Sequence, residues 1–188
     1  FGRAKEKLWT EGEDFHPSYS QKTVEEIIDN LDSEGKNFVF SNFMITHAKY
    51  TFNQEQKEKL FSPGGFAINT FIYLFDTLKD YLDHRELTEE EFLIRENAYN
   101  SSINYLDNLL KKIYEESSKN TVFILVGDHG EMIGEENIEG MKMVDHHFGT
   151  FKELIEVPCL IYSKKDIDMD ICQDEIFDQR DIIEIIKG

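Results

Sequence analysis

Cysteine is nearly missing from this chain, with two in 188 residues, so no disulfide framework can be inferred. Cys159 falls in the apolar stretch from Val157 to Tyr162 and reads as a small buried hydrophobe, while Cys172 follows an acidic loop. No apolar run is long enough for a membrane span, and no signal peptide is recognisable. Positive charge is short: 20 Lys and Arg face 38 Asp and Glu, a formal net charge of -18. That balance argues against partners built on a phosphate backbone or an anionic membrane, because the long-range field repels both. No internal repeat is visible. The length and a hydrophobic content of 40% suit one domain with a sizeable core.

The strongest positive signal is Thr121-Val-Phe-Ile-Leu-Val-Gly-Asp-His-Gly-Glu131. Val122 to Val126 is uncharged and rich in β-branched and aromatic residues, which suits a parallel strand covered on both faces. Such strands place function at their carboxyl ends. There Asp128 offers a hard anionic oxygen and His129 a neutral nitrogen, a pair suited to zinc or manganese and less so to magnesium or calcium. Gly127 and Gly130 let the backbone turn sharply around an ion. Taken alone, the same tripeptide also suits a surface turn after a strand.

The rest of the chain alternates between helical and strand patterns. Phe1 to Ser20 has no clear period and reads as an irregular lead-in, with Trp9 and Phe15 pinned to the body. From Gln21 to Ser33, Val24, Ile27, Ile28 and Leu31 fall at helical spacing. Asn37 to His47 reads as a strand ending in an ionisable group. Phe66 to His84 carries an apolar helical stripe of Phe71, Leu74, Phe75 and Leu78, read as core packing in preference to an interaction surface. Thr88 and Glu91 form a capping box at the start of a long helix reaching Lys119. The stripe of that helix is Phe92, Tyr99, Ile103, Leu106, Leu110 and Ile113. Glu131 to Val144 reads as an acidic, glycine-containing solvated loop, with a lid or mobile rim as the functional alternative. Ser62-Pro63-Gly64 reads as a turn.

Several segments in fixed order resemble the sulfatase branch of the alkaline phosphatase superfamily. Asp128-His-Gly-Glu131 is followed by Asp145-His-His-Phe-Gly-Thr-Phe-Lys-Glu-Leu-Ile-Glu-Val-Pro158 and a strand candidate. This is similar to the family's succession of a His, a Tyr/Phe-x-Glu helix and a Val-Pro pair. Counting back from Val157-Pro158, the family's His falls on His146, with Phe151 and Glu153 in the aromatic and acidic positions. His147 stands where glycine is usual, and Glu156 where the family often has Arg. Upstream, Asn37-Phe-Val-Phe-Ser-Asn-Phe-Met-Ile-Thr-His-Ala-Lys-Tyr50 resembles the family strand that ends in His-x-Pro-Tyr, with Lys49 in place of the proline. Tyr99-Asn-Ser-Ser-Ile-Asn-Tyr-Leu-Asp107 resembles the helix leading into the metal-bearing strand. The likeness runs roughly from Asn37 to Gly188.

The resemblance implies an α/β fold of alkaline phosphatase type, a mainly parallel sheet between helices, carried by a single domain that is incomplete at its amino terminus. It implies a divalent metal ion (Mn, Zn, Ca or Mg) held by Asp128 and His129 together with acidic ligands from elsewhere. His47 and His146 take catalytic and substrate-binding roles, and Lys49 a substrate contact. Histidine suits such work because an imidazole changes charge near neutral pH. The substrate is a small-molecule or glycan sulfate or phosphate ester; oligomeric state and compartment are left open. The family's nucleophile turn, Cys/Ser-x-Pro-x-Arg or its Thr equivalent, has no counterpart in the sequence. The expectation is therefore a carboxyl-proximal portion of a longer sulfatase-type domain, inactive alone. Two alternatives stand beside sulfate-ester hydrolysis. One is phosphoryl transfer or hydrolysis on phosphoglycerol, phosphoethanolamine or phosphonate esters, and the other a non-catalytic interaction scaffold.

Overall fold

The computed structural model describes residues 17–31, 37–47, 89–136, 140, 142–146, 151–165, 178, 180 and 182. Helix α1 spans Pro17–Leu31 and helix α2 spans Glu89–Glu116. Strand β1 (Val122–Val126) follows, then β2 (Met132–Glu136), β3 (Lys142–Asp145), the short helix α3 (Lys152–Ile155) and β4 (Cys159–Ser163). Helix α1 begins within the stretch expected to be irregular. Proline is tolerated as a first helical residue, because the N–H it lacks has no partner within a helix.

The core lies where α1 and α2 meet. Val24, Ile45, Tyr105, Leu109 and Ile113 are buried together, flanked by Ile27, Ile28, Leu31, Phe43, Leu106, Leu110 and Phe123. The inner face of α2 runs through Phe92, Arg95, Ala98, Ser102, Tyr105, Leu109 and Ile113. This differs in phase from the sequence reading, since Ile103 is exposed and Tyr105 and Leu109 are inside. Helix α2 carries apolar residues on more than one side, so tertiary packing chooses the stripe. Its carboxyl end is held by Lys164, whose Nζ donates to Ser117 O at 2.7 Å and lies over the Tyr114 ring.

Strand β1 pairs antiparallel with β4, in a register from Val122 opposite Ser163 to Val126 opposite Cys159. Strand β2 pairs antiparallel with β3. The parallel pairing expected for β1 is not found among the described residues, and β1 is only partly covered, with Val122 and Val126 exposed. An uncharged run encodes burial but not the direction of its partner. Phe123, Leu125, Leu160 and Tyr162 share one face by the register, and Phe123 and Tyr162 lie against Tyr114 of α2.

Two further expectations are corrected. Residues 37–44 belong to no strand among the described residues. Phe38 and Phe40 are 73% and 82% exposed, and it is Phe43 and Ile45 that reach the core. The stretch read as a solvated loop or lid, Glu131 to Val144, holds the β2–β3 hairpin, with Met132 buried. Lys49, His147, Cys172, the helix expected over 66–84 and the turn at 62–64 lie outside the described residues. No described helix is long and apolar enough to cross a membrane.

Candidate metal and anion site

Asp128 and His129 sit in the turn that follows β1, and the backbone there is tied down on both sides. Gly127 N–H donates to Pro158 O at 3.2 Å, extending the β1–β4 pairing by one step. Gly130 N–H donates to Leu154 O at 2.9 Å, joining the turn to the carboxyl end of α3. Gly130 lies so close to α3 that a Cβ added there would overlap the carbonyl oxygen of Glu153. Glycine is required at this position by space, which explains the turn better than conformational freedom alone.

Within the turn, His129 N–H donates to Asp128 Oδ1 at 3.0 Å, which orients the carboxylate. His129 Nδ1 lies 2.8 Å from Gly130 O. A carbonyl oxygen only accepts, so Nδ1 carries the hydrogen and a neutral ring presents its lone pair at Nε2. One carboxylate and one imidazole nitrogen, both exposed, match the donor chemistry for zinc or manganese. Among the described residues no group of three or more His, Cys, Asp and Glu side chains is placed to hold a metal ion. These two donors therefore fit part of a ligand set.

The histidines expected to handle the anion gather beside this turn. His146, which follows β3, has its ring 4.3 Å from that of His129, tilted by 36°. His47, in the turn after Ile45, lies edge-on to His146 at 5.2 Å. Three residues far apart in sequence thus converge beyond the end of β1. His47 is positioned through Ile45, fully buried in the α1–α2 core, and its backbone N–H donates to Met44 O. Lys142 contributes elsewhere: its Nζ pairs with Glu89 at 2.5 Å and lies 4.8 Å over the Phe92 ring.

Sequence reasoning missed the residues that dock this region on α2. Arg95 Nη2 meets Glu131 Oε1 at 3.0 Å, both side chains 6% exposed. Phe92 packs against Gly134, and Tyr99 stands one turn beyond Arg95. Burial, with smaller contributions from Glu131 and Glu135, raises the Tyr99 phenol above its ordinary value. A signal was present: Arg95 falls within the Phe92–Tyr99 stripe, and a charge at a core-facing helical position requires a partner.

The sulfatase family model matches residues 2–179. The chain belongs to the sulfatase family. No curated protein and no solved structure gives a match. Membership in the sulfatase family brings the alkaline phosphatase-like α/β fold and, broadly, hydrolase chemistry, for which family members generally use divalent metal ions.

Proposed function

We propose that this sulfatase-family chain supplies the carboxyl-side half of an active site for metal-dependent hydrolysis of sulfate esters. The observation that carries the reading is the convergence of His47, His129 and His146 beside Asp128 at one strand end. Asp128 and Nε2 of His129 are the metal donors. A divalent ion bound there supplies positive charge that offsets the oxyanion and favours a deprotonated nucleophile.

The chain's own residues divide the remaining work. The Asp128 carboxylate is oriented by the His129 N–H, and the His129 ring by the Gly130 carbonyl. His47 and His146 donate N–H groups to the non-bridging oxygens of the ester, and one of them passes a proton to the departing alcohol oxygen. Lys49, outside the described residues, is assigned to substrate contact by the family resemblance alone. The sequence holds no Cys/Ser-x-Pro-x-Arg turn, so the reading takes the nucleophile from outside these 188 residues and expects the chain alone to be inactive.

The test is manganese and zinc content of the chain with and without Asp128→Ala, alongside turnover of sulfate and phosphate esters by the chain and by a version extended toward the amino terminus. Metal lost in the variant, with sulfate-ester activity confined to the longer protein, is the expected result. Preference for phosphate esters would transfer the site to phosphoryl chemistry. No metal and no turnover in either protein would leave a non-catalytic scaffold.

A further inference from the structure

We propose that Arg95, through its buried ion pair with Glu131, is a positioning residue that sets His146 against His129. The inference rests on the reading of that histidine pair as part of the site. Its geometry starts at the mouth of the β2–β3 hairpin. Met132 is opposite Asp145 and Ile133 opposite Val144, so one more step of the same register puts His146 opposite Glu131. His129 precedes Glu131 by two residues. Glu131 is thus the point at which the metal turn and the His146 strand end come together, and it is there that α2 takes hold.

Among the described residues, the other restraints on the hairpin are of different kinds. Lys142 pairs with Glu89, a side chain 86% exposed, and exposed pairs constrain geometry weakly. Phe92 against Gly134 is an apolar contact without directional preference. Met132 anchors the first residue of β2 by burial. The Arg95–Glu131 pair is both buried and directional. A guanidinium donates to a carboxylate in or near its own plane, which restrains how the hairpin mouth rotates about the helix.

A buried ion pair is a poor source of stability compared with an apolar pair of the same size, because desolvating both charges cancels much of their attraction. Its presence at the hairpin mouth is accounted for by geometry. The pair also neutralises Glu131, which would otherwise place a second carboxylate next to Asp128 where an anionic ester is to bind. Both effects act through other residues, since Arg95 is buried and faces Glu131.

The experiment uses the whole 188-residue chain and compares Arg95→Met, Arg95→Lys and the double variant Arg95→Met/Glu131→Met. Three quantities are measured: thermal unfolding, Mn²⁺ affinity, and the nuclear Overhauser contact between the His129 and His146 rings. Arg95→Met is expected to lower stability by leaving Glu131 buried without the guanidinium. The double variant is expected to regain stability yet bind Mn²⁺ about 10-fold more weakly, the lower end of the usual loss when a group supporting a ligand is removed. Its His129–His146 contact is lost, and Arg95→Lys restores part of it.

A double variant with wild-type Mn²⁺ affinity and an intact ring contact overturns the proposal, because the pair would then serve stability alone. A double variant that does not fold overturns it for the same reason. If the wild-type chain binds no Mn²⁺, the metal reading fails, while the ring contact still judges the role of Arg95.

Discussion

Replacing Gly130 by alanine tests how the Asp128–Gly130 turn, the proposed metal site, is built. The added methyl would collide with the carbonyl oxygen of Glu153, with the Glu153 carbonyl carbon 2.9 Å away and the Leu154 Cα 3.2 Å away. These are backbone atoms, so no side chain can swing aside; α3 and the turn must separate. Overfilling a packed site costs about 1–3 kcal/mol. Separation also weakens the Gly130 N–H bond to Leu154 O, a further loss of about 1 kcal/mol. Restricting the unfolded chain returns about 0.4–1 kcal/mol. The net expectation, about 1–3.6 kcal/mol, lowers the melting temperature of a chain this size by about 2–14 °C. Because the Gly130 carbonyl also holds the His129 ring, Mn²⁺ affinity falls with it. Gly140→Ala is the control. Nothing among the described residues lies within 4 Å of a Cβ there, and its φ of +76° brings a conformational penalty of about 1–2 kcal/mol with no effect on the metal. Thermal and urea unfolding followed by circular dichroism, with Mn²⁺ titration, decide the matter. A Gly130→Ala protein as stable as wild type and unchanged in metal affinity would refute the close approach of α3.

Two further perturbations follow from the packing around the histidines. Tyr99→Phe is expected to flatten the alkaline side of the stability profile. The folded phenol is raised, chiefly by burial and then by Glu131 and Glu135, so its contribution is complete below the ordinary value of 10.0 and lost as pH rises through the folded value. Urea midpoints from about pH 8 to about pH 11 check this, and an alkaline limb identical in the two proteins counts against it. Ile45→Ala removes a fully buried side chain two residues before His47. It should cost about 2–4 kcal/mol and weaken the His47–His146 ring contact, which proton spectra can follow; a stable variant with that contact unchanged would separate His47 from the core.

What could be read directly from the sequence was local. The bounds of β1 emerge from an uncharged β-branched run, and the extent of α2 from its apolar recurrence; Thr88 of the expected capping box lies outside the described residues. Helix α3 and β4 came through resemblance to an ordered set of motifs, as did His146. Pairing direction was not legible, because Val122 to Val126 looks the same to a parallel or an antiparallel neighbour. The β2–β3 hairpin was hidden by Gly134, Glu135 and Glu136, which break the apolar alternation that marks a strand. The segment before His47 misled in the opposite sense. Phe38 and Phe40 have strong strand preferences, yet strand formation needs a paired edge as well as suitable side chains. Arg95 in the α2 stripe signalled that a partner was needed, but an ion pair spanning 36 residues leaves no local trace that the partner is Glu131.

The charge distribution resolves an apparent conflict between a net charge of -18 and the site proposed for anionic esters. Total charge governs approach over long distances, but in physiological salt the field of an exposed carboxylate fades over about 8 Å. Inside that radius the ester meets a more selective set of groups. Glu131 is compensated by Arg95, Glu135 accepts the Ile133 N–H, and Asp128, oriented by the His129 N–H, is on the proposed reading a cation ligand. The nearby imidazoles supply N–H donors without adding negative charge. On the proposed reading the acidic surface slows encounter, while local binding falls to His47 and His146 with His129 beside them as metal donor. Their common location depends on three separate restraints: Ile45 in the core, Gly130 against α3, and Arg95 on α2.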